Sequence, residues 1–152
     1  MINKRLDLRK FEKSDIEEVY KLLNDLSNES KKFFHPHDFS REKLKEIYSS
    51  GKDHYFVMTC DKKIIGYSFL RLFGYEIPSY GGCIDQDYHG KGFGTLLTKS
   101  TIEKAQKLGY KKVILKVYKS NTRAFNVYKK LGFKIVELLE DTDELKMERS
   151  LK

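Results

Sequence analysis

The sequence predicts a mixed α/β domain in which helices cover both faces of one sheet of about six to seven strands. Apolar residues recur at helical spacing in about four segments, and shorter segments are rich in β-branched and aromatic residues. In the second half of the chain the two kinds of segment alternate. An antiparallel meander in the first half therefore leads into a strand–helix–strand–helix unit.

Capping residues mark the ends of the predicted helices. Ser14 and Glu17 have the spacing of a capping box, so Ser14 is expected to be the N-cap of the first helix. Ser40 is expected to cap the second helix. The third and fourth helices end at glycines, a common helix C-terminus. These two helices are predicted at residues 93–108 and 121–131, before Gly109 and Gly132.

The predicted strands are short and are separated by turn residues. They cover residues 5–9, 54–60, 64–73, 80–84, 112–117, 133–139 and 144–151. Polar and apolar residues alternate along the last strand, which suits a position near a sheet edge. An edge strand can pair with another protomer. A homodimer is one arrangement that this strand allows.

The composition favours one domain over residues 1–152, long enough to bury a core. No apolar run approaches the roughly 20 residues of a membrane span, so no membrane partner is expected. Two cysteines are too few for a disulfide framework, which favours a cytoplasmic location. The net charge of +8 favours an anionic partner, but the basic residues are spread along the chain among 22 acidic ones. A nucleic-acid-binding module is therefore the weaker alternative.

Glycines occupy every second position in HGKGFG, residues 89–94, directly before the third helix. The first amides of a helix lack intrahelical partners and, with the helix dipole, favour an anion. Glycine also permits positive φ and the close approach of a ligand. Gly90, Gly92 and Gly94 therefore fit a pyrophosphate cradle, with Lys91 adding charge at the rim. A flexible turn before a helix is the alternative interpretation of this short motif.

Two common phosphate-binding motifs do not fit these residues. A P-loop requires Gly-Lys-Ser/Thr, whereas Lys91 is followed by Gly92. A dinucleotide-binding fingerprint requires a glycine where Thr95 stands. It also requires an acid at the end of the following strand, which ends VYK at residues 117–119.

A third interpretation rests on two longer motifs. DQDYHGKGFGTLL, residues 85–97, resembles the acetyl-CoA loop of the GNAT N-acetyltransferase superfamily, whose pattern is Gln or Arg, two residues, Gly, one residue, then Gly or Ala. NTRAFNVYKKLGF, residues 121–133, resembles the second family signature, Asn…Ala…Tyr…Gly-Phe. The resemblance is strong from about residue 54 to 137. It departs at His89, where the family usually has Gln or Arg, and at Gln86, where proline is common.

The resemblance implies that acetyl-CoA is the acetyl donor. Two central parallel strands, residues 80–84 and 112–117, would splay apart and hold its pantetheine arm. The implied cofactor-binding residues are Cys83, Ile84, His89, Gly90, Lys91, Gly92, Phe93, Gly94, Thr95, Asn121, Ala124 and Tyr128.

The implied reaction is direct transfer of the acetyl group to a free amine, without an acyl-enzyme. Asn121, Ala124 and Tyr128 are spaced to share one helix face. In this family a tyrosine at the position of Tyr128 typically protonates the departing thiolate, and the alternative is a core aromatic residue. The amine must lose a proton to a base, for which Glu76 and Asp85 are the candidates. An ordinary solvated carboxylate is the alternative for each of them.

The acceptor wall is implied in the segment between the first strand and the meander. Phe34, His35 and His37 lie there and, with Tyr80, are the candidate acceptor-binding residues. They suit an amino sugar, an amino acid, a polyamine-like molecule or the amine of a protein or peptide; packing beneath the first helix is the alternative. His35 and His37 have no partner ligands at metal-binding spacing, so no metal is expected. A non-catalytic acyl-CoA sensor on the same fold is the alternative function.

Overall fold

A seven-stranded mixed sheet forms the centre of this computed structural model, which describes residues 5–72 and 76–151. The strands are β1 (Leu6–Lys10), β2 (His54–Cys60), β3 (Lys63–Arg71), β4 (Ser79–Ile84), β5 (Lys112–Tyr118), β6 (Lys134–Leu139) and β7 (Glu144–Ser150). Their order across the sheet is β1-β2-β3-β4-β5-β7-β6. The pairs from β1 to β4 are antiparallel and β4–β5 is parallel, so the predicted fold class is confirmed. The end of the predicted strand 64–73, Phe73, lies outside the described residues.

Helices cover both faces of the sheet. They are α1 (Ile16–Asn24), α2 (Asn28–Phe33), α3 (Arg41–Ser50), α4 (Phe93–Lys107) and α5 (Thr122–Lys130). The six-residue helix α2 was not predicted, because none of its residues is fully buried and it therefore has no apolar stripe. None of the helices in the described ranges has the length and apolar character needed to cross a membrane.

The start of α1 differs from the capping-box prediction. Ser14 lies inside a short 3-10 turn, and Asp15 occupies the N-cap position. The Asp15 carboxylate accepts a hydrogen bond from Glu12 N at 2.8 Å and two from the Arg9 guanidinium at 2.8 and 2.9 Å. Because this buried carboxylate closes the turn, the helix begins after Asp15 and not after Ser14.

The other predicted helix ends agree with the structure. Ser40 Oγ accepts a hydrogen bond from Lys43 N at 3.1 Å and caps α3. Gly109 and Gly132 follow α4 and α5 with φ of +90° and +94°. Glycine adopts this left-handed conformation without the steric cost that a Cβ adds, which ends each helix at the predicted place.

Two apolar clusters, one on each face, hold the helices to the sheet. Leu97 and Ile102 of α4 cluster with Leu115 of β5 on one face. Val19 of α1 and Leu44 of α3 belong to the cluster on the other face. Since both faces of β3 are covered, its residues 64–70 are all buried.

The parallel pair β4–β5 is joined only at its beginning. Ser79 is registered with Ile114, whose amide donates to Pro78 O at 3.0 Å. Beyond this point the two strands diverge, as the resemblance implied. The fold thus opens a cleft at the carboxyl ends of two central strands, a position where open α/β sheets commonly bind ligands.

The edge of the sheet is not formed by the last strand. β7 pairs with β5 on one side and with β6 on the other, so the described sheet has its free edges at β1 and β6. Residues 144–151 were predicted near an edge, and Glu144–Ser150 form β7, the strand next to the edge strand β6. This order arises because the chain returns from β6 to pair with β5. On the edge strand itself, Ile135, Val136 and Leu138 are 52%, 47% and 45% exposed.

Candidate active site

The cleft between β4 and β5 has two sides, which share the floor formed by β4. The glycine side is lined by β4, the loop at residues 88–95 and α5, and encloses about 300 Å³. The α2 side is lined by α2, the end of β5 and the start of α5. Every residue implied to bind the cofactor lines the glycine side except Lys91, whose ammonium lies 5.7 Å from the centre of the Tyr88 ring at the rim.

The glycine loop has the conformation that its sequence requires. Gly90 and Gly92 have φ of +76° and +84°, and α4 begins directly after Gly92. A Cβ at Gly90, Gly92 or Gly94 would meet no protein atom within 4 Å. Packing within the described chain therefore does not explain the three missing side chains. The unpaired amides of the first turn of α4 lie beside them, and this is the geometry of an anion-binding helix N-terminus.

Both ring nitrogens of His89 lie near protein groups, on Ile84 and Gln86. His89 Nε2 lies 2.7 Å from the carbonyl oxygen of Ile84, which can only accept, so Nε2 carries the proton and donates. In this tautomer Nδ1 is the acceptor. The imidazole thus holds the end of β4, and because His89 also lines the glycine side, its implied part in cofactor binding stays a prediction.

One face of α5 supplies the remaining groups of the glycine side. Asn121 caps the helix, with its Oδ1 3.4 Å from Ala124 N, and Asn121, Ala124 and Tyr128 all line the cleft. The Tyr128 ring packs edge-to-face on Tyr80 at 6.1 Å and on Phe133 at 5.8 Å. Burial raises the pKa of Tyr128 to about 12. The phenol therefore stays protonated at neutral pH, and it can give a proton but is a poor base.

The Tyr80 hydroxyl is already occupied. Thr98 donates its hydroxyl proton to Gly94 O at 2.8 Å, so the 2.9 Å bond between Tyr80 and Thr98 must be donated by Tyr80. The residue is 5% exposed and lies in the floor of the cleft. The hydroxyl therefore anchors β4 to α4, while the residue lines both sides of the cleft, so its contact with the acceptor stays a prediction.

Cys83 lies in the cleft as a thiol. Burial raises its pKa well above the usual range, with the charge of Asp85 adding to the effect. Since the thiolate is the nucleophilic form, this residue is not poised for covalent catalysis.

Neither predicted carboxylate base lines the cleft. Glu76 lies before β4 and lines a separate groove with Leu108 and Lys112, at the end of the strand away from the cleft. Asp85 Oδ1 accepts from Asp87 N at 2.9 Å and caps the turn that follows β4. Glu76 is excluded as the base because it precedes β4, whose other end forms the cleft. Asp85 is already engaged, because its carboxylate caps the following turn.

The carboxylate that does line the described cleft was missed by sequence reasoning. It belongs to Glu29, in the first turn of α2. Because α2 was not predicted, Glu29 was not expected near β5. The serine at position 27 is the signal that could have found the helix, since Ser27 Oγ accepts from Ser30 N at 3.1 Å as an N-cap.

Aromatic residues form part of the lining of the α2 side. Phe34 lines it and stacks on Phe39 and Phe69 at 6.2 Å from each. His35 Nε2 lies 2.9 Å from the hydroxyl of Tyr118, which lines the same side at the end of β5. The structure thus brings Phe34 to the predicted acceptor wall, whereas His35 contacts that wall through Tyr118 and does not itself line either side of the cleft.

His37 points away from the cleft and supports the core. Its Nδ1 donates to Asp38 O at 2.7 Å, so Nε2 accepts from the buried Tyr67 hydroxyl at 2.9 Å. Its predicted contact with the acceptor is corrected: both ring nitrogens already have partners, and the residue lines neither side of the cleft. In the described ranges, no group of three or more His, Cys, Asp or Glu side chains could hold a metal ion.

Acid is expected to destabilise the wild type more than a His37→Gln variant. Burial is the largest cause that lowers the pKa of His37 in the folded protein. The unfolded chain, whose histidine titrates near about 6.5, therefore binds the proton first, and stability falls as the pH drops through that value. Above it this histidine contributes no pH dependence. Thermal unfolding is measured for both proteins at about pH 7.5 and about pH 5.5. The fall in Tm between the two pH values should be larger in the wild type than in His37→Gln, by about 2 °C or more.

His54 keeps its own pH dependence in both proteins, since burial lowers its pKa as well. It therefore cancels in the comparison. Equal losses of Tm in wild type and variant would contradict the structural role of neutral His37.

Comparisons with known proteins agree with this geometry. The family model described as acetyltransferase (GNAT) domain matches residues 5–134. An N-alpha-acetyltransferase of Sulfurisphaera tokodaii is 34% identical over 119 residues, which cover 69% of this chain and 68% of that protein. A mycothiol acetyltransferase of Saccharomonospora viridis is 26% identical over 64% of this chain and 35% of its own length.

Solved structures share the fold at lower identity. The spermidine N-acetyltransferase of Vibrio cholerae, in complex with CoA and spermine, has a TM-score of 0.81 at 23% identity and covers 95% of each chain. The ribosomal-protein-S18-alanine N-acetyltransferase of Escherichia coli has a TM-score of 0.75 at 18% identity, over 97% of this chain and 95% of that one. Together with the family match over residues 5–134, the cleft and its glycine loop lead to one conclusion: the chain belongs to the GNAT family of acyl-CoA-dependent N-acetyltransferases.

Proposed function

We propose that this cleft transfers the acetyl group of acetyl-CoA directly to a primary amine. The acceptor is a small molecule, such as an amino sugar, an amino acid or a polyamine-like amine, or the amine of a protein or peptide. The observation that carries the proposal is the meeting of a glycine loop, a splayed strand pair and a protonated Tyr128 in one cleft. Each of these groups suits a different part of an acyl-CoA thioester.

The pyrophosphate is proposed to bind the amides of residues 90–95, where positive φ and the start of α4 expose N–H groups. The pantetheine arm would then lie between the diverging ends of β4 and β5. Lys91, at the rim, adds positive charge near the phosphates.

The amides of Gly82 and Ile84 are the proposed donors to the thioester carbonyl, and the strand geometry supports this choice. Asp85 N donates to Ile65 O at 2.7 Å, so strand alternation directs the amides of Asp85 and Cys83 toward β3. The amides of Gly82 and Ile84 then face the gap toward β5. Donors in this position stabilise the oxyanion that develops when the amine attacks.

Proton transfers complete the reaction. The amine nitrogen bonds to the acetyl carbon, the C–S bond breaks, and the thiolate takes the phenol proton of Tyr128. The attacking amine loses one proton on the α2 side, to water or to the hydrogen-bonded pair of Tyr118 and His35. Glu29 supplies negative charge at the mouth of that side, which favours a cationic acceptor.

We also propose a cytoplasmic location and a second copy of this chain as the partner of the β6 edge. The free thiols of Cys60 and Cys83 suit a reducing compartment. The exposed apolar residues of β6 suit pairing with an identical strand.

An amine panel tests the proposed reaction. The protein is incubated with acetyl-CoA and, in turn, spermidine, glucosamine, single amino acids or a peptide with a free N-terminus, and released CoA thiol is measured. Amine-dependent release with at least one class is expected. Binding of acetyl-CoA without release by any amine would contradict the enzyme and favour the sensor.

A further inference from the structure

We infer that Gln86 couples the cofactor loop to the acceptor wall, so that binding of the acetyl donor orders α2. The inference rests on the proposed function, because it assumes that the glycine side holds acetyl-CoA. Gln86 is a positioning residue in this account, since it acts through His89 and through the start of α2.

The connection is a continuous chain of hydrogen bonds. Gln86 Oε1 accepts from Ser27 N at 2.9 Å and from Ser30 Oγ at 3.1 Å. Gln86 Nε2 lies 3.4 Å from His89 Nδ1, and His89 Nε2 donates to Ile84 O at 2.7 Å. One side chain thus joins the N-terminus of α2 to the residue that precedes the first loop glycine.

The partners at both ends of this series of hydrogen bonds fix which groups donate and which accept. A backbone carbonyl can only accept, so His89 Nε2 donates and His89 Nδ1 accepts from the Gln86 amide nitrogen. A backbone amide can only donate, so the Gln86 oxygen faces Ser27 N. The opposite amide orientation would place two donors together at Ser27 and two acceptors together at His89. Because each end requires the same orientation, the bridge has one arrangement.

α2 depends on such external anchors. It has six residues, none fully buried, and a helix of this length is marginal without tertiary contacts. No α2 residue lines the glycine side in the described cleft, whereas Glu29, Ser30 and Phe33 line the α2 side. Gln86 is therefore one anchor of the acceptor wall, beside the contact of the Phe33 ring with Tyr118 at 6.1 Å. Within the described residues, the glycine side offers a ligand no residue of α2 to contact directly.

The loop end of the bridge lies where the donor is proposed to bind. His89 precedes Gly90, whose φ of +76° belongs to the proposed pyrophosphate cradle. His89 also holds the carbonyl of Ile84, whose amide faces the proposed thioester position. A ligand that fixes this loop fixes His89, and through Gln86 it reduces the fluctuations of α2.

Hydrogen–deuterium exchange with and without CoA tests the coupling, and no acceptor is needed. In the wild type, CoA is expected to slow exchange in residues 90–96 and also, by about fivefold or more, in residues 28–34. In a Gln86→Met variant, which keeps the side-chain length but removes the hydrogen bonds, CoA should slow exchange only in residues 90–96. Exchange of residues 28–34 in the CoA-free variant should be faster than in the wild type.

Asp87→Ala is the matched control, because the exposed Asp87 side chain belongs to the same short turn. It should behave as the wild type in both segments. If Gln86→Met fails to fold, Ser30→Ala removes one of the two bonds to α2 and should lose part of the coupled protection.

Two results would overturn the inference, and they differ in what else they affect. Protection of residues 90–96 without a change at 28–34 in the wild type would refute the coupling and leave the proposed function intact. Absence of CoA protection in both segments would refute the proposed donor site and the coupling with it.

Discussion

Replacing Tyr128 by phenylalanine is expected to lower kcat by about 100-fold or more, within the usual contribution of a positioned general acid. Burial raises the pKa of Tyr128 to about 12, above the value of about 8.5 for a free thiol. The phenol is thus the weaker acid, and its proton can move to the sulfur only as the C–S bond breaks. Without the phenol, the departing thiolate must be protonated by water.

Binding of acetyl-CoA should change little in the same variant. The Tyr128 ring packs on Tyr80 and Phe133 through its edge and face, and phenylalanine preserves these contacts. We expect the Kd for acetyl-CoA to stay within about twofold, since one lost hydrogen bond contributes little to a ligand of this size. Steady-state kinetics and calorimetry on the same preparation separate the two effects.

Tyr48→Phe is the control for removal of a tyrosine hydroxyl. Tyr48 is 43% exposed on α3, on the other face of the sheet. Its loss should leave kcat unchanged. Equal kcat for Tyr128→Phe and wild type would mean that another group protonates the thiolate, and Tyr128 would then be a core aromatic of the cleft.

Replacing Gly92 by valine is expected to raise the Kd for acetyl-CoA by about tenfold or more. Gly92 has φ of +84°, where a β-branched residue is strained by about 1–3 kcal/mol. The loop must therefore leave the conformation that exposes its amides, or keep it with a side chain beside the proposed pyrophosphate. Either result weakens binding, and a loss of about 1.4 kcal/mol in binding free energy already raises the Kd tenfold.

Gly109→Val separates this effect from a general loss of stability. Gly109 has φ of +90°, and, as at Gly92, a Cβ added there would have no protein atom within 4 Å. It lies at the other end of α4, away from the cleft. Both variants should lose similar thermal stability, but only Gly92→Val should lose affinity in a calorimetric titration. Equal affinity of the two variants for acetyl-CoA would remove the loop from the donor site.

Local sequence signals were sufficient for the sheet, the glycine loop and most helix ends. Gly92 was identifiable because its role is a backbone conformation next to a helix start, and both are encoded within a few residues. The shared face of Asn121, Ala124 and Tyr128 follows from helical spacing alone. These features depend on neighbours in sequence, so they can be predicted without a tertiary structure.

The remaining parts of the site depend on contacts between distant segments. The sequence made Glu76 a candidate base, but β4 runs toward the cleft, so Glu76 lies at the end of the strand away from it. The sequence pattern of His37 indicated a recognition residue, but its Nε2 accepts a hydrogen bond from Tyr67, which lies 30 residues away in sequence. Gln86 and Ser27 are 59 residues apart, and no local pattern relates them. Sequence reasoning therefore identified the residues that line the glycine side more completely than those that line the α2 side.

A calorimetric titration with acetyl-CoA tests the central claim most directly, with ATP and a short DNA duplex as controls. Our account predicts one-to-one binding of acetyl-CoA, with little binding of ATP and none of DNA at moderate salt. ATP tests whether any phosphorylated nucleotide suffices, and DNA tests whether the charge of +8 is the main determinant. Absence of acetyl-CoA binding, or equal binding of all three ligands, would contradict the assignment of this cleft to the acetyl donor.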